Sequence, residues 1–167
     1  MPVTAKQAFL VVAVRLRTSE ACSGRGIGAA VHSFDFQLDV FRNNPEYTRR
    51  ALDAMLRALT TINVAYLELN PNTPMVYEAY RRGLVRYQTE EPGDERWMDI
   101  PTALQAKRID CEDIACWRAA EVNVRYRIQA VPFFTCRTLD NGMLLCHIKV
   151  RYPNGREEDP SRVLGMK

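Results

Sequence analysis

The sequence predicts a single α+β domain over residues 1–167, in which a cysteine-bearing helix packs on an antiparallel β-sheet and further strands and helices precede it. Three observations predict this class. A capped helix opens at Asp110-Cys111, an amphipathic helix follows Pro45, and turn signals at Asp140-Asn141-Gly142 and Pro153-Asn154-Gly155 separate apolar strands. The C-terminal third therefore reads as a helix followed by an antiparallel meander.

Composition and charge are those of an ordinary globular protein. Hydrophobic residues make up 47% of the chain, charged residues 26%, and the net charge is +3 with acidic and basic residues interspersed. We therefore expect no direct nucleic-acid binding. The apolar run 8–14 is too short to span a membrane and lacks a basic leader and a cleavage site, so we also expect no membrane association, no signal peptide and a cytoplasmic location.

Five cysteines, at positions 22, 111, 116, 136 and 146, form no C-x-x-C pair. An odd number without such pairs predicts no disulfide framework and favours a reducing compartment. Their spacing also fits a zinc site poorly, since Cys111 and Cys116 lie about 140° apart around a helix. The sequence calls for no metal and no organic cofactor.

In the N-terminal hundred residues, strands are predicted over 7–16 and, from alternating Phe34, Phe36 and Leu38, over about 33–40 with His32 at its end. The glycines between residues 24 and 28 predict a flexible turn rather than a phosphate-binding loop. A helix of about fifteen residues follows Pro45, a second capped by Thr73 ends near Gly83, and a short third runs from Ile100 toward Gln105.

The C-terminal elements follow in order. Asp110 is the predicted N-cap of the helix that begins at Cys111, and Asp113 can bond back to the cap amide. Strands are predicted over 127–137, with Pro132 marking an edge or bulge, and over 143–152. The chain then turns into residues 156–159.

Cys111 is a candidate nucleophile because it would be the first residue of its helix. Unpaired amides and the positive end of the helix dipole favour a thiolate there. The alternative is a buried and inert cysteine, which is a common fate of this residue type. A nucleophilic thiol needs a base elsewhere in the chain, so the base decides between the two.

His147 and Asp159 are the candidate base and its orienting acid, provided that the turn at Pro153-Asn154-Gly155 has three residues. A two-residue turn would place them on opposite faces of the sheet. Proline followed by asparagine and glycine instead favours a type I turn with a glycine bulge, which pairs Tyr152 with Arg156. Lys149 then pairs with Asp159 and Ser161 with His147, so that Asp159 lies diagonal to His147 at about 7–8 Å between backbones. The alternative is a solvated histidine and an aspartate that merely starts a turn.

These motifs together resemble the core of the transglutaminase-like cysteine enzymes, which share a helix-borne cysteine and strand-borne histidine and aspartate with papain-like proteases. The resemblance covers about residues 101–163 and implies Cys111 as nucleophile, His147 as general base and acid, and Asp159 as orienter. The spacing from Gln105 to Cys111 matches the papain-like oxyanion glutamine, although a surface glutamine is the alternative. Ile109 stands where the family usually has a small residue.

Residues 69–87 and 159–166 also resemble small transglutaminase-like proteins encoded among virion genes of tailed bacteriophages. The sequence therefore carries two functional hypotheses. The first is a cysteine hydrolase or acyltransferase acting on a peptide, isopeptide or glutaminyl amide through a thioester. The second is a structural or peptide-binding protein of a phage particle that keeps the fold without turnover. Expected partners are a protein or peptide substrate and phage structural proteins, and the virion is the alternative location.

Overall fold

The chain combines helices with a small antiparallel sheet, as an α+β fold does. The computed structural model describes residues 17–18, 32–33, 45–90, 96–138 and 144–166. In chain order, the elements of these residues are β1 (Arg17–Thr18), β2 (His32–Ser33), α1 (Pro45–Leu69), α2 (Val76–Arg81), β3 (Arg86–Tyr87), α3 (Ile100–Ala106), β4 (Arg108–Ile109), α4 (Cys111–Tyr126), β5 (Val131–Thr138), β6 (Leu144–Arg151), β7 (Glu157–Glu158) and α5 (Pro160–Val163).

Several sequence predictions concern parts of the chain outside the described residues. They are the strand over 7–16, the glycine turn at 24–28, most of the strand over 33–40 and the turn at 140–142. Of the N-terminal region, the structure describes the antiparallel pair β1–β2, in which Thr18 lies opposite His32.

Helix α1 is longer than predicted, with 25 residues instead of about fifteen. It starts at Pro45 as predicted and ends at Leu69. The extra turns form because buried positions continue along one face beyond Leu59, through Asn63 to Leu67. The side-chain oxygen Oδ1 of Asn63 accepts a hydrogen bond of 2.9 Å from the amide of Ile100, so that α1 also holds the start of α3.

Helix α2 begins at Val76, so its N-cap residue is Met75 and not the predicted Thr73. The Thr73 hydroxyl donates instead to the carbonyl of Asn70, at 2.8 Å. The first amide of α2 donates to the carboxylate of Glu121 on α4, also at 2.8 Å. The capping group is therefore supplied by another helix, which a local sequence pattern does not reveal.

Two short strands that the sequence did not predict lead toward Cys111. Strand β3 pairs in parallel with β4, with Tyr87 opposite Ile109. Helix α3 lies just before β4 and has the predicted start, with Asp99 accepting from the amide of Thr102. Lys107 closes α3 in the left-handed region at φ 57° and turns the chain into β4. Cys111 is thus reached through a strand held by β3.

The apolar face of α4 packs on the three-stranded sheet of order β5-β6-β7. Ala115, Ala119 and Val122 on the helix form one buried cluster with Ile148 and Val150 of β6. Strand β5 is an edge strand among the described strands, which explains how it accommodates a proline at its second position.

The turn between β6 and β7 has the predicted three residues. Tyr152 donates its amide to Arg156, Gly155 donates to Tyr152, and Gly155 lies in the left-handed region at φ 80°. The register therefore runs as expected through Val150 opposite Glu158. The predicted pairing of Ser161 with His147 is wrong, because α5 begins at Pro160 and ends the strand.

The structure contains a disulfide between Cys136 and Cys146, which the cysteine count did not predict. The two residues lie directly opposite each other on β5 and β6. A two-residue turn at Asn141-Gly142 would instead have placed Cys136 opposite His147. The register differs from that arrangement by one residue, and this difference brings the two sulfurs together. Cys111 and Cys116 remain thiols.

A buried ionic network joins α4 to α2 and β7. Arg118 contacts Glu121 at 2.6 Å and Glu158 at 2.8 Å, and the hydroxyls of Tyr77 and Tyr152 both donate to Glu158. The side chains of Arg118, Glu121 and Glu158 are only 15%, 0% and 11% exposed. A guanidinium between two buried carboxylates compensates charges that would otherwise be costly to desolvate.

None of the described helices has both the length and the apolar character that a membrane span requires.

We predict that Arg118→Leu lowers the free energy of unfolding by about 3 kcal/mol, because it leaves buried carboxylates without their cation. Urea denaturation followed by circular dichroism measures this loss. Arg50→Leu is the matched control, since Arg50 makes an exposed helical ion pair with Glu46 and its loss costs about 0.5 kcal/mol or less. Equal losses in the two variants would show that the network does not stabilise the fold.

Candidate active site

His147 and Asp159 are joined by a hydrogen bond of 3.0 Å between Nε2 and Oδ1. His147 lies on β6, and Asp159 follows β7 directly, so the three-residue turn brings them together as predicted. Both side chains are partly buried, at 20% and 18% exposed. Because an ionised carboxylate only accepts, Nε2 of a neutral His147 carries the proton, which leaves the lone pair of Nδ1 available as a base.

Asp159 is itself held by helix α5. It is the N-cap residue of that helix, and its Oδ1 accepts the amide of Arg162 at 3.3 Å. The same oxygen therefore accepts from both the imidazole and the helix. This anchoring fixes the carboxylate against the ring, which is the role of the third residue in a nucleophile, base and acid triad.

Cys111 occupies the first position of α4, as predicted. Asp110 and Asp113 form the reciprocal capping box, and Asp113 also accepts the amide of Met98 at 2.6 Å. Cys111 packs against the buried cluster that contains Ile148 of β6. The nucleophile candidate therefore lies close to the residue that follows His147.

The thiol of Cys111 donates to Oε2 of Glu112, at 3.2 Å. Burial raises the pKa of Cys111 above the ordinary value of a thiol, and the charges of Glu112 and Asp110 raise it further. The prediction that the helix N-terminus lowers this pKa is therefore wrong for this structure. Desolvation and two carboxylates outweigh the helix dipole, so the resting group is a neutral thiol.

The described residues include no hydrogen bond between Cys111 and His147. The structure joins His147 to Asp159 and brings Cys111 to the same strand, but the thiol proton points toward Glu112. Gln105 lies on α3 with an exposed side chain, and no hydrogen bond of the described residues connects its amide to Cys111. The proposed oxyanion donor is therefore not in contact with the nucleophile.

Carboxylates surround the start of α4. Oxygens of Glu90, Asp110 and Glu112 lie within 4.8 Å of one another, with the last two residues buried. Oxygen ligands of this kind suit Ca²⁺ or Mg²⁺. The sequence analysis missed this cluster because Glu90 is distant in sequence, although Glu112 follows the candidate nucleophile directly.

Tyr87 is a further site residue that sequence reasoning missed. It is half-buried on β3, and its pKa is raised first by burial and then by the charges of Cys111, Asp110, Glu112 and Asp159. The phenol therefore lies close to both the nucleophile candidate and the orienting acid. A two-residue parallel strand gives no periodic signal that could have placed it there.

The two tryptophans of the chain differ in their position relative to Cys111. Trp97 is half-buried against the cluster that includes Cys111, and its ring centroid lies 6.4 Å from that of Phe134. Trp117 is 1% exposed and belongs to the core on the other side of α4. Trp97 therefore forms part of the apolar wall beside the thiol, and Trp117 does not.

Comparisons of the chain with protein-family models, with curated proteins and with solved structures find no match.

We predict that Glu112→Gln increases the rate at which iodoacetamide alkylates Cys111 about tenfold at about pH 8. Replacing the carboxylate by an amide of the same shape removes a negative neighbour and lowers the pKa of Cys111, so more thiolate is present at any pH below that pKa. Peptide mass spectrometry of the native protein measures the rate.

Glu157→Gln is the control, because Glu157 is an exposed carboxylate paired with Arg151. We expect it to leave the rate unchanged. Cys116 reports on integrity, since it is fully buried and should stay unreactive in every variant. An unchanged or slower Cys111 in Glu112→Gln would show that this carboxylate does not control the thiol.

Proposed function

We propose that the chain is a cysteine-dependent hydrolase with a transglutaminase-like or papain-like core, acting on a peptide, isopeptide or glutaminyl amide bond. The observation that carries the proposal is the hydrogen bond between His147 and Asp159, on a strand whose next residue, Ile148, belongs to the buried cluster against which Cys111 packs. An oriented imidazole beside a cysteine at a helix N-terminus is the arrangement that nucleophilic catalysis needs. No metal or organic cofactor takes part.

In the proposed acylation step, the Cys111 sulfur attacks the carbonyl carbon and its proton passes to Nδ1 of His147. The bond from carbon to sulfur forms while the carbonyl π bond opens to an oxyanion. His147 then gives its proton to the leaving nitrogen, the carbon–nitrogen bond breaks, and an amine or ammonia departs. Asp159 stabilises the imidazolium between the two transfers.

In the deacylation step, water or a primary amine gives its proton to His147 and attacks the thioester. The carbon–sulfur bond breaks, and the proton returns to the sulfur. Hydrolysis and acyl transfer therefore use the same three residues. For the acylation step to begin, the Cys111 thiol must leave Glu112 and turn toward Nδ1 of His147, which is a rotation about the first side-chain torsion of Cys111.

The oxyanion is assigned in this proposal to the backbone amide of Cys111, which is among the first amides of α4 and has no carbonyl partner within the helix. Gln105 remains the proposed second donor, and its exposed side chain would have to turn toward the site.

A structural or peptide-binding protein of a phage particle is the second candidate function. The observation that favours it is the bond from the Cys111 thiol to Glu112, because a neutral thiol held by a carboxylate is a poor nucleophile. In that case the site would retain the geometry without turnover, and the partners would be structural proteins of the particle.

We predict that the protein releases ammonia or amine from members of a glutaminyl and isopeptide peptide library, and that Cys111→Ala abolishes the release. His147→Ala should lower kcat by about a thousandfold or more. Asp159→Asn should lower it by a smaller factor, because this substitution disturbs the tautomer of the His147 imidazole but leaves the base in place. A coupled ammonia assay, repeated with an added primary amine, also separates hydrolysis from transfer.

Cys116→Ser is the matched control, because Cys116 is a buried thiol on the same helix that donates to the carbonyl of Leu56. It should retain activity. Trapping of the acyl-enzyme with hydroxylamine provides a second readout. If Cys111→Ala is as active as the parent protein, or if no library member is turned over or trapped, the second candidate takes precedence.

A further inference from the structure

A cavity of about 530 Å³ lies beside the candidate active site, between the end of α2, strand β3 and the end of α5. Its walls include Tyr80 and Arg81 from α2, Arg86 and Tyr87 from β3, and Gly165 after α5. This volume is in the range of sites that bind small molecules or single side chains. Nothing in the proposed mechanism uses it.

Two segments that border this cavity also adjoin residues of the candidate triad, namely Cys111 and Asp159. Strand β3 pairs with β4, which runs into Asp110 and Cys111, and Tyr87 lies opposite Ile109. Helix α5, whose last turn borders the cavity, begins directly after Asp159. Tyr87 therefore lines the cavity and also lies close to Cys111 and Asp159.

The cavity is positively charged at its outer end. Arg81 and Arg86 are exposed, and neither makes an ion pair with a residue that the structure describes. Arg82, the neighbour of Arg81, is instead paired with Glu78. Two guanidinium groups without a protein carboxylate are suited to a carboxylate from outside, which arginine binds through paired hydrogen bonds.

Two aromatic rings also line the cavity. Tyr80 and Tyr87 are both half-buried, and the Tyr80 hydroxyl lies 3.6 Å from the position that a Cβ on Gly165 would take. Such rings pack against the methylene groups of an extended side chain. The cavity therefore combines a cationic end with walls that fit an aliphatic stem.

We propose that this cavity is a substrate subsite that binds the acidic side chain of a residue close to the reacting amide of a protein or peptide substrate. The proposal rests on the proposed cysteine hydrolase function and names its substrate class. Arg81 and Arg86 bind the carboxylate, Tyr80 and Tyr87 hold the stem, and the neighbouring amide reaches Cys111 past Tyr87.

Charge favours an acidic peptide over a nucleic acid. The side of the cavity near Tyr87 adjoins the carboxylates Glu90, Asp110, Glu112 and Asp159, which would repel a chain of phosphates continuing toward Cys111. A peptide carries its carboxylate at one point and a neutral amide at the next. The basic residues also do not form the long stripe that a polyanion needs.

The test measures binding of a fluorescein-labelled peptide, in which glutamates flank a central glutamine, to the full chain carrying Cys111→Ser. Fluorescence anisotropy is compared with that of a peptide whose glutamates are replaced by glutamines. Arg81→Gln and Arg86→Gln are each introduced into this background, and Arg82→Gln is the matched control at the same helix end. Circular dichroism verifies that each variant is folded.

We expect the acidic peptide to bind at least about tenfold more tightly than the neutral one. Arg81→Gln and Arg86→Gln should each weaken binding about fivefold, while Arg82→Gln stays within about twofold. Failure of the acidic peptide to bind, an equal loss in Arg82→Gln, or tighter binding of an oligonucleotide of the same net charge would overturn the proposal. Complete competition by inorganic phosphate at equal concentration would also overturn it.

Measuring turnover by the parent protein distinguishes a failure of the subsite proposal from a failure of the proposed hydrolase function. If the enzyme turns over acidic and neutral glutaminyl peptides equally, the subsite proposal is wrong, whereas the proposed catalytic triad is supported. If the acidic peptide binds as expected but the parent protein never turns it over or forms a trapped acyl-enzyme, the hydrolase proposal fails and the cavity remains an acidic-peptide site.

Discussion

The ion pair between Arg118 and Glu158 is the constraint on which the geometry of the site depends. Strand β7 has only two residues and, among the strands that the structure describes, pairs only with β6, so its backbone hydrogen bonds hold it weakly. Arg118 anchors it to α4, two turns after Cys111, and the hydroxyls of Tyr77 and Tyr152 add hydrogen bonds to the same carboxylate. Because Asp159 follows Glu158 directly, the pair fixes the distance from the orienting acid to the helix that carries the thiol.

The part of the site that the sequence predicted is the part that local chemistry determines. Proline, asparagine and glycine at 153–155 each suit one position of a three-residue turn, and the turn sets the register that brings Asp159 to His147. The capping box at the start of α4 is equally local. The family resemblance and the catalytic role remain proposals, but the contact between these two side chains follows from residues within a single hairpin.

The remaining features depend on contacts between distant segments. Glu121 and Arg118 lie on a helix whose charged residues a pattern would assign to solvent, yet they are buried by α2 and β7. The raised pKa of Cys111 arises from burial and from the charges of Glu112 and Asp110, two members of a carboxylate cluster that also includes Glu90. The disulfide depends on a one-residue difference in strand register, which the turn signal alone does not specify.

The charge around Cys111 bears on how the proposed chemistry would proceed. Carboxylates beside the sulfur oppose a resting thiolate, so a preformed pair of thiolate and imidazolium is disfavoured. In the proposed reaction Asp159, which is hydrogen-bonded to His147, stabilises the imidazolium that forms when His147 accepts the proton. In the tetrahedral intermediate the sulfur is bonded to carbon and the negative charge lies on the substrate oxygen. The repulsion by the carboxylates therefore raises the free energy of a free thiolate but acts less on the tetrahedral intermediate. For this reason the favoured course is one in which the thiol loses its proton to His147 while the sulfur attacks the carbonyl carbon.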